Sequence, residues 1–355
     1  MVNRWPDRRW LDLVGTDHPI IQAPMANGGG VELAVAAIDG GALGSLACGI
    51  LSEDQVGQQA TDVRSRANGP INLNFFCHRM PGDADDQAWV ALLQPYYEQL
   101  GIEPGGAGPM RLPFGESACL AVEEIKPEVV SFHYGLPAQP LLERVKASGA
   151  LVLSSATTVA EARWLQERGV DAIIAQGYEA GGHRGHFLGA DPAETPGLFA
   201  LLPQVVDAVS VPVIAAGGIA DGRGIAAAFA LGASAVQVGT AYLLTPESLI
   251  SPQFRDILPD RPTVLTNLYS GGLARAARGD MITELGPVRE EAPPFPLAST
   301  ALVPLWKAAQ QRGDWEFLLP LAGQGASLAP RLPAEELTRR LAEDALEIIW
   351  SRTHA

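Results

Sequence analysis

The feature that most constrains the fold of this chain is the alternation of short apolar runs with helical patterns through its first 250 residues. Such alternation predicts parallel strands joined by right-handed helical crossovers. Eight units favour a TIM (β/α)8 barrel, and an open, doubly wound α/β sheet is the structural alternative. The runs predicted as strands are residues 19–23, 42–46, 70–75, 129–133, 150–154, 172–176, 211–216 and 235–239. The clearest helical patterns are residues 52–66, 139–148, 159–168 and 222–231.

Two stretches interrupt this pattern. Residues 77–114 contain five prolines, so we interpret them as an insertion between the third strand and its helix. After residue 250 the repeat stops, and helices are predicted at 302–311 and 334–351. We therefore predict a barrel over residues 1–250 and a mainly helical C-terminal extension over 251–355 that packs at the barrel mouth.

Composition excludes several classes of function. The formal net charge is −15, and no basic face is evident, which argues against nucleic-acid binding. No apolar run reaches the roughly 18 residues of a membrane helix, and the charged start does not resemble a signal peptide, so we expect a cytoplasmic protein without a membrane span. Cys48, Cys77 and Cys119 are widely spaced, which predicts reduced thiols.

The segment 176–185 places two adjacent glycines directly before a histidine, at the end of the predicted sixth strand. Gly181 and Gly182 can adopt backbone angles closed to other residues and allow a flat ligand to approach the main chain. His183 can exchange protons near neutral pH. A flexible loop with a solvated histidine is the alternative, because a glycine loop alone is a weak motif. We predict that this segment belongs to an active site.

Other polar residues fall at the ends of predicted strands, where barrels place reactive groups. Each of them alone could be a satisfied core polar group. Together they predict a binding site for a heteroaromatic ligand whose ring edge needs donors and acceptors. They are Gln22 with Ala23, Pro24 and Met25, then Asn72, Asn74, His133, Gln176 and Gln237.

The last two strands are followed by glycines that suit a phosphate group. Gly217 and Gly218 precede one predicted helix, and Gly239 and Thr240 begin the next. Exposed backbone N–H groups at such turns bind phosphate without a lysine, although tight turns alone are the alternative. His183 and His186 are too few to hold a metal, so we predict none. We expect Arg184 and His186 to make loop or phosphate contacts.

These motifs together resemble the nitronate monooxygenase family, formerly called 2-nitropropane dioxygenases. The likeness covers nearly the whole chain, and its long form is similar to the bacterial and fungal class that oxidises propionate 3-nitronate. The motifs are QAPM at 22–25, NLNF at 72–75, SFHYG at 131–135, AGGHRG at 180–185, AGGI at 216–219, QVGT at 237–240 and AGQGAS at 322–327.

The resemblance implies FMN as cofactor, without a metal. It places the phosphate on Gly218, Gly239 and Thr240, and His183 beside the flavin, with His133 at a further active-site position. The implied flavin contacts come from Met25, Asn72, Gln176 and Gly181, within a cofactor site that includes Ala23, Pro24, Gly182, Gly217 and Gln237. Related sequences often carry Ser-Gly-Arg where this chain has residues 270–272 as Ser-Gly-Gly, so that arginine is absent or replaced by Arg275.

The implied reaction is the oxidation of an alkyl nitronate by O2, through a flavin semiquinone, to a carbonyl compound and nitrite. His183 and His133 would hold the nitro oxygens, and His183 is the candidate base for a neutral nitroalkane. We hypothesise that Lys307 binds a substrate carboxylate. The alternatives are an FMN-dependent NAD(P)H reductase of quinones or enoyl thioesters, and a flavin- or sugar-phosphate-binding protein without turnover.

Overall fold

The computed structural model describes residues 5–82, 85–105, 110–189, 195–314, 316–317 and 320–351. The strands in chain order are β1 (Ile20–Gln22), β2 (Gly44–Ala47), β3 (Ile71–Phe76), β4 (Val129–His133), β5 (Leu151–Ala156), β6 (Ala172–Gln176), β7 (Gly182–His183), β8 (Val213–Ala216), β9 (Ala235–Val238), β10 (Thr263–Thr266) and β11 (Ala274–Ala277). The helices are α1 (Arg9–Val14), α2 (Val31–Asp39), α3 (Glu53–Arg66), α4 (Gln87–Leu100), α5 (Glu116–Ile125), α6 (Gln139–Ala147), α7 (Val159–Glu167), α8 (Leu198–Ala208), α9 (Gly222–Ala230), α10 (Thr240–Leu243), α11 (Pro252–Ile257), α12 (Asp280–Leu285), α13 (Ala298–Gln311) and α14 (Ala334–Ser351).

Eight of these strands form a closed parallel barrel. Their pairing order is β2-β3-β4-β5-β6-β8-β9-β1, and a parallel bridge between Ile21 and Leu43 joins β1 back to the start of β2. The strands are almost entirely buried because helices cover them outside and side chains fill the interior. The predicted TIM barrel is therefore confirmed, and the open sheet is excluded.

Two helices of the ring, α3 and α9, begin with side-chain caps. Ser52 and Gln55 form a reciprocal capping box at the start of α3. Asp221 accepts the N–H groups of Arg223 and Gly224 at the start of α9. In these two units the loop between strand and helix has five residues, 48–52 and 217–221, and such loops lie at the carboxyl ends of the barrel strands.

The C-terminal segment divides into two parts that pack in different places. After β9 the chain forms only the four-residue α10, and α14 packs against α9 and α2 in the outer ring. Leu337, Leu341 and Ala345 are its buried face. We expected all of residues 251–355 to lie at the barrel mouth; α14 instead supplies the eighth helix of the ring.

The rest of this segment covers the mouth together with the insertion. Helices α4 and α13 bury a second apolar cluster, in which the Trp89 indole N–H donates to the Ala298 carbonyl at 3.1 Å. Strands β10, β11 and β7 form a small antiparallel sheet beside them. Residues 83–84 and 106–109 of the predicted insertion lie outside the described residues. No described helix is long and apolar enough to cross a membrane.

Candidate active site

A cavity of about 460 Å³ opens at the carboxyl ends of the barrel strands, beneath the layer that contains α13. It contains most of the residues that the sequence predicts for the site. Those that line it are Ala23, Pro24, Met25, His133, Gln176, Gly181, Gly182, His183, Gly217, Gly218, Gln237, Gly239 and Thr240. Its outer wall is apolar and includes Phe254, Leu302, Val303 and Trp306.

Asn72 does not line the cavity, whereas Asn74 does. Both point to the same face of β3, as expected of residues two apart in a strand. Asn72 lies one layer deeper, where its amide donates to Ser45 Oγ at 3.0 Å. Asn74 is nearer the carboxyl end and donates to Ser131 Oγ at 2.9 Å. The sequence therefore identifies the correct face of the strand, and the structure places Asn74, not Asn72, beside the ligand space.

Lys307 is not among the residues that line the cavity. Its side chain is exposed, although its neighbours Val303 and Trp306 on α13 line the cavity wall. Lys307 lies about 100° around the helix from Trp306 and four residues after Val303, so it is at the edge of the cavity-facing side of α13 with its side chain exposed. The structure gives no support to Lys307 as the carboxylate-binding residue.

The glycine-histidine segment is part of a sheet. Strand β7 pairs antiparallel with β11, so that His183 lies opposite Ala274 and Gly182 opposite Arg275. Gly182 has a φ of 80°, a left-handed conformation that favours glycine. This pairing fixes the direction from which His183 enters the cavity, and it excludes a loop with a solvated histidine.

The His183 ring is held at one nitrogen. Nε2 lies 2.7 Å from Ser270 Oγ, and no described residue forms a hydrogen bond with Nδ1. Burial, together with the charge of Arg111 and the neighbouring His133 and His78, holds the pKa of His183 well below its usual value. A neutral imidazole with Nδ1 left for a ligand is therefore the form present near neutral pH.

His133 is bonded to protein atoms at both ring nitrogens. Nε2 lies 3.1 Å from the His183 carbonyl oxygen, which can only accept, so Nε2 carries the proton. Nδ1 then accepts from Ser155 Oγ at 2.7 Å. Burial lowers the pKa of His133 to about 4. His133 is thus placed to position the main chain of His183, with neither ring nitrogen left to hold a nitro oxygen.

Two more side chains hold the same segment. Gln176 donates to the His183 carbonyl at 2.8 Å and accepts from the Gly185 N–H at 2.8 Å. Glu161, fully buried on α7, accepts from the Phe187 N–H at 2.7 Å. The sequence did not point to Glu161, because an acid in the first turn of a helix is common. Glu161 acts as an acceptor only because the loop that contains Phe187, 26 residues later in the chain, folds against α7.

The two arginines near this segment have structural contacts. Arg184 donates to the Gly177 carbonyl at 2.6 Å, which is the loop contact expected of it. Arg275 donates to the Tyr178 carbonyl at 2.9 Å and lies over the Tyr178 ring. Arg275 is buried and does not line the cavity, so it is not placed to replace the missing arginine of the Ser-Gly-Arg motif.

The opposite end of the cavity suits a phosphate and a planar ring. Gly217 and Gly218 have positive φ values of 128° and 68°, which glycine alone adopts readily. The tail segment 322–325 packs onto these turns, and its Gly323 N–H donates to Thr240 Oγ1 at 2.8 Å. Gln237 Oε1 is buried with no partner among the described residues. Because α10 has only four residues, backbone N–H groups and not a helix dipole would hold the phosphate.

Arg111 is a cavity residue that the sequence did not predict. It lies in the insertion, and nothing in the local pattern distinguishes it from a solvated arginine. Among the described residues that line the cavity, it is the one with a permanent charge.

Comparisons with known proteins agree with this geometry. A family model described as nitronate monooxygenase matches residues 8–344. Nitronate monooxygenases of Paraburkholderia phytofirmans and Pseudomonas aeruginosa are 40% and 41% identical to this chain, over 98% and 95% of its length and 98% of theirs. A solved nitroalkane oxidase from Streptomyces ansochromogenes is 36% identical, with a TM-score of 0.88 over 97% of this chain and 99% of its own.

Proposed function

Since the chain belongs to the nitronate monooxygenase family, we propose that it binds FMN in this cavity and oxidises propionate 3-nitronate with O2. The products would be a carbonyl compound and nitrite. The observation that carries the proposal is a neutral, buried histidine fixed at one end of a cavity whose other end is built from glycine turns.

The residues present fit FMN. The glycine turns at Gly217 and Gly218 leave main-chain N–H groups for a phosphate. The unpartnered oxygen of Gln237 and the open main chain of Gly182 suit the polar edge of a flavin ring. When bound, FMN supplies the one-electron oxidation of the nitronate, which O2 then completes.

His183 is the proposed catalytic residue. If Ser270 donates to Nε2, the proton lies on Nδ1 and can be donated to a nitronate oxygen. If Nε2 donates to Ser270, Nδ1 is a base that can accept a proton from a neutral nitroalkane. The same hydrogen bond therefore permits both substrate forms, and His133 and Gln176 keep the ring in place through the His183 carbonyl.

The test is the visible spectrum of the purified protein under anaerobic conditions, before and after propionate 3-nitronate is added. We expect a flavin spectrum that loses its oxidised absorption without any nicotinamide, and nitrite once air is admitted. A bound flavin that ignores the nitronate but is reduced by NADH would contradict the proposal and favour the reductase. Protein without flavin would contradict the cofactor assignment.

A further inference from the structure

Arg111 lines the cavity, and its guanidinium forms no ion pair or hydrogen bond with the described residues. Its Nε is buried. Burial lowers its pKa, but an arginine stays protonated in a protein. Taking a cation out of water without a counter-charge is costly. A positive charge kept in such a place is suited to bind an anion that enters the cavity.

The surroundings of Arg111 are polar as well. The Tyr134 hydroxyl is buried with no partner among the described residues, and the His78 ring lies beside the Arg111 backbone. The Tyr134 and His78 ring centroids are 6.2 Å apart, and the His78 ring adjoins the Arg111 backbone, so the three residues lie together. Tyr134 has a φ of 69°, a strained conformation for a side chain of its size. Unsatisfied donors and backbone strain together are typical of a ligand-binding position.

This group is close to His183 without contacting it directly. The Tyr134 and His183 ring centroids are 6.4 Å apart, and Phe295 packs on both rings. The Arg111 charge acts on the pKa of His183, although no hydrogen bond joins the two residues. An anion held by Arg111 is therefore a different group from the one that contacts His183 Nδ1. Because both residues line the same cavity, one small molecule can contact both.

We propose that Arg111 forms a second anion subsite, which binds the carboxylate of a nitronate substrate while His183 contacts the nitronate. This inference rests on the proposed function and assigns its substrate specificity to one residue of the insertion. In propionate 3-nitronate a single methylene separates the carboxylate from the nitronate carbon, which matches two neighbouring subsites. A guanidinium bonds a carboxylate through two parallel N–H groups, a geometry that a lysine cannot supply.

The experiment compares two nitronates of equal carbon number, propionate 3-nitronate and propyl-1-nitronate, which differ by a carboxylate in place of a methyl group. For the FMN-loaded Arg111→Met enzyme, we expect the ratio of kcat/KM for the first substrate to that for the second to fall by roughly tenfold or more, mostly through KM. Arg111→Lys should recover part of the loss, because it restores the positive charge but not the two parallel N–H groups of the guanidinium. Retained FMN and an unchanged circular dichroism spectrum establish that the variant is folded.

Two control variants remove a positive charge elsewhere. Arg79→Met removes an exposed arginine of the same insertion, and Lys307→Met removes the exposed lysine of α13. Neither should change the substrate ratio by more than about twofold, since exposed charges are screened.

An unchanged substrate ratio in Arg111→Met would overturn the subsite. With an equal loss of kcat/KM on both substrates, Arg111 would act on the nitronate or on the fold. With no loss on either substrate, Arg111 would not bind substrate at all. A wild-type enzyme that oxidises neither nitronate would instead contradict the proposed function, so the two failures are distinguishable.

Discussion

At the scale of single residues, two histidines that the sequence suggests for the same task have different surroundings. His133 uses both ring nitrogens on protein atoms, whereas His183 uses one and keeps the other toward the cavity. Both are neutral because burial opposes their charged forms. Attraction for an anionic substrate must therefore come from Arg111 and from hydrogen bonding, and not from a charged histidine.

We expect His183→Asn to lower kcat/KM for a nitronate by about 100-fold or more, the usual contribution of a positioned proton donor or base. FMN should stay bound, because the glycine turns are untouched. Ser270→Ala, which removes the hydrogen bond at Nε2 but keeps the imidazole, should cause a smaller loss. Steady-state oxygen consumption and flavin content measure both effects, and full activity in a flavin-loaded His183→Asn enzyme would remove His183 from the mechanism.

His133 predicts a pH dependence of stability. Its folded pKa of about 4 is below the value of 6.5 expected when unfolded, so acid favours the unfolded chain. The stabilisation is complete above about pH 6.5 and is lost as the pH falls toward about 4. Between about pH 7 and about pH 5 the free energy of unfolding should fall by about 2 kcal/mol through this residue.

Urea unfolding of wild type and His133→Asn at both pH values tests this effect. Asparagine does not titrate, so the pH-dependent loss should be smaller in the variant by about 2 kcal/mol. Titratable groups that do not contact His133 contribute equally in both proteins, so the difference reports the titration of His133 together with its influence on His183. Equal losses in the two proteins would show that His133 is not buried in its neutral form.

At the scale of elements, the sequence locates the strands but not the contacts between distant segments. Buried parallel strands are continuous apolar runs, so their positions can be read from the chain. The partner of Gly181 cannot be read from the chain in this way. It is the backbone of residues 322–323, which approaches only when the tail has folded over the mouth. For the same reason the motif at 322–327 stands out only through its likeness to the nitronate monooxygenase family. Its sequence alone predicts no contact with the glycine turns.

The contact between Gly181 and the tail predicts that Gly181→Ala weakens FMN binding by about tenfold or more. An added Cβ would lie 2.5 Å from Gly323 N and 2.7 Å from the Ala322 carbonyl carbon, and neither backbone atom can rotate away. Gly57→Ala on α3 is the matched control, since its Cβ would meet nothing within 4 Å. Fluorescence titration of the apoprotein with FMN measures both. Unchanged affinity in Gly181→Ala would mean that the tail segment does not shape the cofactor site.

At the scale of the whole molecule, the eight-unit pattern predicts the barrel. It does not show that α14, far along the chain, supplies the eighth helix of the ring. A chain that leaves the barrel after β9 gives no local sign that it will return almost a hundred residues later. Gly222 shows how close that return is, because an added Cβ would lie 2.5 Å from Asp344 Cβ of α14. Because α14 completes the outer ring of helices, the stability of the barrel should depend on this C-terminal helix.

Leu341 tests that dependence, because it is 1% exposed and faces the barrel from α14. Leu341→Ala should lower the free energy of unfolding by about 3 kcal/mol, as expected for a buried leucine. Leu328→Ala, at a position 50% exposed, should change it by less than about 0.5 kcal/mol.

Because α14 is part of the ring, urea unfolding of Leu341→Ala followed by circular dichroism and by flavin release should give one shared transition at lower urea. If α14 were a detachable tail, a small early transition in circular dichroism would precede flavin release, and the flavin midpoint would match that of wild type. That outcome would separate the tail from the barrel, and a single shifted transition would establish that the two fold as one unit.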